Sequence, residues 1–128
     1  MCIYDEAVDN VLERFLVANG RLNILPDDQI LRVATESSKV NKSLQKYTID
    51  ARIGGSITDG NPKLLQQAQK RVREARIIFT TCTGAGLGIL RKIPFEQVLI
   101  DEASQITETC ALIPLVKRCQ QAVLVGDQ

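Results

Sequence analysis

From residue 7 to 18 apolar positions recur at helical spacing, with Val8, Val11, Leu12, Phe15 and Leu16 on one face and Asp9, Asn10, Glu13 and Arg14 on the other. The pattern predicts an amphipathic helix stopped near Gly20, its apolar stripe packed against a sheet. Ahead of it, Met1-Cys2-Ile3-Tyr4 has strand character but is too short to form an edge, so the chain reads as starting in mid-element. After the turn at Pro26-Asp27-Asp28, residues 29–34 read as a short strand. The periodicity then fades. Val40, Leu44 and Tyr47 can line a short helix, but Gly54-Gly55 and Thr58 to Pro62 break it, and residues 20–61 read as a loop-rich or inserted segment.

Order returns at Asn61-Pro62, an N-cap followed by a first-turn proline, which opens a helix to about Ala75 with Leu65, Ala68, Val72 and Ala75 as its buried stripe. Three apolar runs follow: Ile77 to Cys82, Val98 to Ile100, and Ala122 to Val125. Runs without polar interruption predict strands buried on both faces, the habit of parallel strands in α/β domains. Between the last two, Ala111, Leu112, Leu115 and Val116 predict a helix that Pro114 shortens or kinks. The expected class is α/β with a parallel sheet, each strand ending in a polar, Gly- or Asp-containing loop.

Composition narrows the chemistry more than the fold. The 128 residues, 45% hydrophobic and 24% charged, suffice for one domain with a core, and nothing in them suggests disorder. The net charge of +1 announces neither a nucleic acid nor a membrane, so such a partner must be met by a local patch. One such patch is the basic face of the 62–75 helix, Lys63, Lys70, Arg71, Arg73 and Arg76 against Glu74; a solvated face is the plain reading and contact with a phosphate backbone the sharper one. No apolar run approaches the roughly 20 residues of a membrane span and the first residues lack the basic-then-apolar layout of a signal peptide, so an intracellular protein is expected. Cys2, Cys82, Cys110 and Cys119 lack zinc or C-x-x-C spacing and read as reduced, mostly buried thiols. Asn41-Lys42-Ser43 matches a glycosylation acceptor by chance. There is no histidine, which removes Ser-His-Asp, Cys-His and His-ligated metal sites and leaves carboxylate, lysine, thiolate and backbone-amide chemistry.

Ligands of open α/β sheets bind in the crevice at the carboxyl ends of the strands. There Val98-Leu99-Ile100 breaks into Asp101-Glu102, a Walker B-like pair in which one carboxylate holds magnesium and the other orients and deprotonates a water. The plain alternative is a strand leaving into a polar turn or helix start, where acids are favoured anyway. Thr83-Gly84-Ala85-Gly86-Leu87-Gly88 lets a backbone approach an anion closely. It is no dinucleotide fingerprint, because Ile89 occupies the third glycine's place and Pro94 comes too early for a crossover helix. None of the eight glycines opens a G-x-x-x-x-G-K-[ST] loop.

In order and spacing, Ile77 to Gly88, Val98 to Gln105 and Val123 to Asp127 resemble superfamily 1 helicases of the nonsense-mediated-decay type. Thr80 to Gly86 resembles motif Ic, Asp101 to Ser104 motif II, Val125-Gly126-Asp127 the opening of motif III, and Ala7 to Asn10 the tail of motif Ia. The resemblance implies a partial RecA-like P-loop NTPase domain spanning 1–128, lacking the Walker A strand and loop, with the motif Ic to III core at 62–128. It implies ATP and Mg2+ as cofactors, Asp101 as metal and cofactor ligand, Glu102 as catalytic base, and Gly126, Asp127 and Gln128 at the cofactor. It further implies Thr81, Thr83 and Gly84 on single-stranded RNA or DNA, no membrane, and a second RecA-like domain needed for activity. Asp5 and Glu6 depart from the family's motif Ia, where acids would repel a phosphate backbone. The chain is expected to be a fragment of a truncated or mis-assigned reading frame, cut through its site at both ends, inactive alone, with an aggregation-prone incomplete sheet. A non-catalytic nucleic-acid or protein-binding module is the alternative, and a dinucleotide oxidoreductase is set aside on its glycine pattern.

Overall fold

The computed structural model describes residues 4–127. Met1, Cys2 and Ile3, where the sequence suggested strand character, and Gln128, expected at the cofactor, lie outside the described residues. Helix α1 spans Asp5–Leu22, with Asp5 and Glu6 at its positive end and Arg21 in its last turn. It runs past Gly20 because the stop is built elsewhere. Asn23 adopts the left-handed conformation (φ 49°) and donates its N–H to the Asn19 carbonyl at 2.7 Å. The Asn19 side chain also accepts from the amides of Ile24 and Leu25.

Strand β1 (Ile30–Arg32) pairs in parallel with β2 (Ile77–Phe79) in the register Ile30↔Ile77 to Arg32↔Phe79. Between them lie α2 (Ile49–Ile53) and α3 (Pro62–Glu74). Asn61 caps α3 by accepting from the Lys63 amide at 3.0 Å. Strand β3 (Gln97–Ile100) pairs in parallel with β4 (Gln121–Leu124), and α4 (Glu108–Leu115), capped by Thr107 and containing Pro114, connects them.

Two apolar clusters sandwich the β1–β2 pair. Val8 and Leu12 of α1 meet Ile30, Val40, Leu44, Tyr47 and Phe79 on one side. On the other, Leu31, Ile49, Ala68 and Val72 meet Cys82, Ala85, Leu90, Phe95, Val98 and Ile100. Residues 35–61 therefore supply core side chains, through short 3-10 turns at Ser37–Lys39 and Lys42–Tyr47 whose spacing follows neither helix nor strand periodicity.

Several side chains differ from their expected placement. Asp9 is buried rather than on the solvent face, because it accepts from Arg32 Nε at 2.9 Å and from the Asn41 amide at 2.9 Å. Arg32 is fully buried and also binds Asp5 Oδ1 at 2.8 Å through Nη2, so Asp5 pairs with an internal cation. On α3, Ala68 and Val72 are inward but Leu65 is exposed, and Leu64 packs on Gly55 in its stead. Leu112 on α4 and Val116 just after it are exposed. Among the described cysteines Cys82 is buried, and Cys110 and Cys119 are half-buried.

The largest difference concerns β3 and β4. Val98 and Ile100 point into the core while Leu99 is half-exposed on the other face, and Val123, Leu124 and Val125 are 45%, 56% and 49% exposed. An apolar run specifies a strand made for burial, but among the described residues nothing covers this outer face. Such an edge invites pairing with other chains.

Candidate nucleotide and strand site

Both C-terminal strands deliver their loops to one place. β3 leaves Ile100 into half-buried Asp101 and then exposed Glu102, whose φ of 55° lies in the left-handed region. A non-glycine residue holds that conformation only when its surroundings impose it. Here the Val125 amide donates to the Ile100 carbonyl at 2.9 Å and the Ala103 amide donates to the Val125 carbonyl at 2.8 Å, stitching the turn after β3 to the end of β4. The Glu102 amide donates to Asp101 Oδ1 at 3.1 Å, and Gln105 Nε2 donates to Glu102 Oε2 at 3.2 Å. Gln105, which sequence reasoning passed over, steadies the Glu102 carboxylate; its signal is its place three residues on, at the end of the 3-10 turn Ala103–Gln105.

Gly126 completes the junction. A Cβ there would stand 2.8 Å from the Ser104 amide nitrogen and 3.1 Å from that of Ala103. Asp101, Glu102 and Gly126 are thus brought together, and exposed Asp127 follows at the same edge. Gly126→Ala is expected to destabilise the chain by about 1–3 kcal/mol, since backbone rather than a flexible side chain must give way. Urea unfolding measures this, and an unchanged midpoint would contradict the close approach.

The donors at this edge are hard carboxylate oxygens, which suit Mg2+. Among the described residues no group of three or more His, Cys, Asp or Glu side chains forms a metal cage. Magnesium is commonly held by one or two carboxylates, with waters and substrate phosphates filling the remaining positions, and Asp101 fits that role.

The Thr-Gly loop lies after β2. Thr81 Oγ1 accepts from the Gly84 amide at 3.0 Å and lies 3.4 Å from Thr83 Oγ1, so the polar groups of Thr81 and Gly84 are engaged with each other while Thr83 is exposed. Gly84 must be small: its Cβ would meet Thr80 Oγ1 at 2.7 Å and Thr81 Oγ1 at 2.8 Å. At Gly86 a Cβ would stand 2.7 Å from Ile113 Cγ2, so α4 presses directly on the loop. The sequence reading also passed over Lys117, whose Nζ donates to the Ala85 carbonyl at 2.6 Å and to that of Leu90.

Parallel strands joined through helices, with an acidic pair and a Gly-Asp loop sewn together at their carboxyl ends, have the architecture of a partial RecA-like domain of the P-loop NTPase fold class. Residues 60–128 match the AAA domain family, and the chain belongs to it. It is 46% identical over 66 residues to a regulator of nonsense transcripts 1 homolog of Neurospora crassa, covering 51% of this chain and 6% of that protein. It is 48% identical over 65 residues to the ATP-dependent helicase upf1 of Schizosaccharomyces pombe, covering 50% of this chain and 7% of that protein. A regulator of nonsense transcripts 1 homolog of Arabidopsis thaliana matches at 39% over 95 residues, 73% of this chain and 8% of that protein. The resemblance to superfamily 1 helicases of the nonsense-mediated-decay type therefore holds, and the chain spans 6% to 8% of the length of these relatives.

Proposed function

We propose that this chain is part of the first RecA-like domain of an intracellular superfamily 1 helicase that couples ATP hydrolysis to movement on single-stranded RNA or DNA. The observation supporting this most directly is the Ala103 to Val125 hydrogen bond, which places the acidic pair and the Gly126-Asp127 loop in one junction. Asp101 would hold magnesium, which when bound neutralises charge on phosphate oxygens. Glu102, steadied by Gln105, orients a water and takes its proton. Gly126 and Asp127, which follow Val125 and its backbone bonds to Ala103 and Ile100, transmit changes at that water to the rest of the domain. Thr83, exposed on its loop, and the turn built by Thr81 and Gly84 meet the sugar-phosphate chain without reading bases.

Phosphoryl transfer depends on positioning and charge neutralisation by several parts at once, including a phosphate-binding loop and a second RecA-like domain. The purified 128-residue chain is therefore expected to show no ATPase activity with Mg2+ and oligo-U; measurable phosphate release from it would overturn the expected inactivity of the isolated chain.

A second reading, a non-catalytic nucleic-acid module, draws on the exposed basic face of α3. Only Glu74 offsets it, 3.7 Å from Lys70 and 3.8 Å from Arg71. Salt-dependent oligo-U binding that survives Asp101→Ala with Glu102→Ala, with no hydrolysis when the motifs are placed beside a phosphate-binding loop, would favour it.

A further inference from the structure

Lys117 follows α4 in the link to β4, where an apolar helix end gives way to charge. Its ammonium is half-buried and, among the described residues, pairs with no carboxylate. Instead it donates to two carbonyls from different turns of the Thr-Gly loop, Ala85 in the turn Gly84–Gly86 and Leu90 at the end of Gly88–Leu90. The Phe95 ring closes another side, its centroid 4.7 Å from Nζ. The Lys117 carbonyl in turn accepts from the Phe95 amide at 2.9 Å, fixing the base of the side chain to the far end of the same loop. Removal from water lowers the Lys117 pKa, as befits an ammonium held by neutral acceptors.

The loop needs such a restraint. Gly88, with open space around it, takes a positive φ of 53°, and Leu87 between the two turns is 63% exposed. Its internal backbone bonds are all short in reach, three or four residues each: Ala85 to Thr81, Gly86 to Thr83, Leu87 to Gly84, Leu90 to Leu87, Arg91 to Gly88 and Ile93 to Leu90.

We propose that Lys117 is a positioning residue for strand binding: its ammonium, set on the Ala85 and Leu90 carbonyls against Phe95, clamps the two turns of the Thr-Gly loop in the shape that presents Thr83 to a nucleic-acid backbone. The proposal rests on reading that loop as the strand-binding element. Lys117 acts through the loop and touches no phosphate itself.

The test compares the 128-residue chain with Lys117→Met by amide hydrogen exchange and by binding of fluorescein-labelled oligo-U over a salt series. In Lys117→Met the amides of Leu87, Leu90 and Arg91 should exchange about tenfold or more faster, the effect of losing hydrogen bonds to a charged group. The Val33 and Arg76 amides, bonded across the β1–β2 pair, should not change. Oligo-U affinity should fall at every salt concentration with an unchanged slope, whereas loss of a direct phosphate contact would lower the slope by about 0.7. Unchanged exchange in the loop, equal acceleration at Val33 and Arg76, or a reduced slope would each overturn the proposal. If the wild-type chain does not bind oligo-U, the strand-binding reading fails and the role in strand binding falls with it; loop exchange then reports only whether the clamp exists. If Lys117→Met does not fold, Lys117→Gln, which keeps one donor, gives the same comparison with a smaller acceleration expected.

Discussion

Glu102→Gln is expected to lower ATP turnover about 10²–10⁴-fold, the usual contribution of a positioned general base. The measurement is phosphate release from a chimera in which this chain's segment replaces the 65 matching residues of the Schizosaccharomyces pombe relative, with Glu102 or with Gln at that position. Glutamine preserves the length of the side chain and its contact with Gln105, and its amide oxygen still accepts from Nε2. What it loses is the ability to take a proton. ATP affinity should persist, because Asp101, the carboxylate proposed for magnesium, is unchanged. Stability should persist too, since the left-handed backbone at position 102 costs glutamine what it costs glutamate. Turnover within threefold of the Glu102 chimera would remove Glu102 from the role of base. Loss of both turnover and ATP binding would instead mark it as a ligand-holding residue.

Arg32→Met is expected to destabilise the chain by about 3–5 kcal/mol, the range for removing one partner from a buried ion pair. Against the roughly 5–15 kcal/mol by which domains are ordinarily stable, that is enough to unfold much of the population. The reason is what the substitution strands. Arg32 is wholly enclosed and ties α1 to the first sheet through Asp9 and Asp5 while donating to the Val33 carbonyl at 2.9 Å. Without it, the buried Asp9 carboxylate keeps only the Asn41 amide. The urea midpoint should therefore fall by roughly 2 M for a slope of about 2 kcal/mol/M. Adding Asp9→Asn should restore part of the loss, because a neutral amide can still accept from Asn41 and leaves no buried charge unpaired. A double variant no more stable than Arg32→Met alone would show that lost packing, and not the stranded carboxylate, is the cause.

Elements governed by near neighbours were legible in the chain. α3 begins at Pro62 because Asn61 caps it, an interaction two residues long, and its buried Ala68 and Val72 follow from helical spacing. Asp101 and Gly126 were legible as ends of apolar runs, and the fold brings those ends together. Leu64 replaced Leu65 on the buried face because the phase of a helix is decided by what it packs on, here Gly55, where an added Cβ would stand 2.9 Å from Leu64 Cδ1. The Thr81 hydroxyl caps the Gly84 amide three residues away, a choice made by the turn.

Composition and periodicity alone determined the α/β class, the absence of histidine chemistry and the acidic pair at a strand end, because each depends on residue type or on neighbours within about one helical turn. The tertiary structure decided the burial of Asp9 by Arg32, the seam between Ala103 and Val125, the grip of Lys117 on the Thr-Gly loop and the exposure of β4. In the first three the partners stand 22 to 32 positions apart in the chain. No local pattern encodes which distant groups meet, and hydrophobicity states that a surface is made to be covered without stating what covers it.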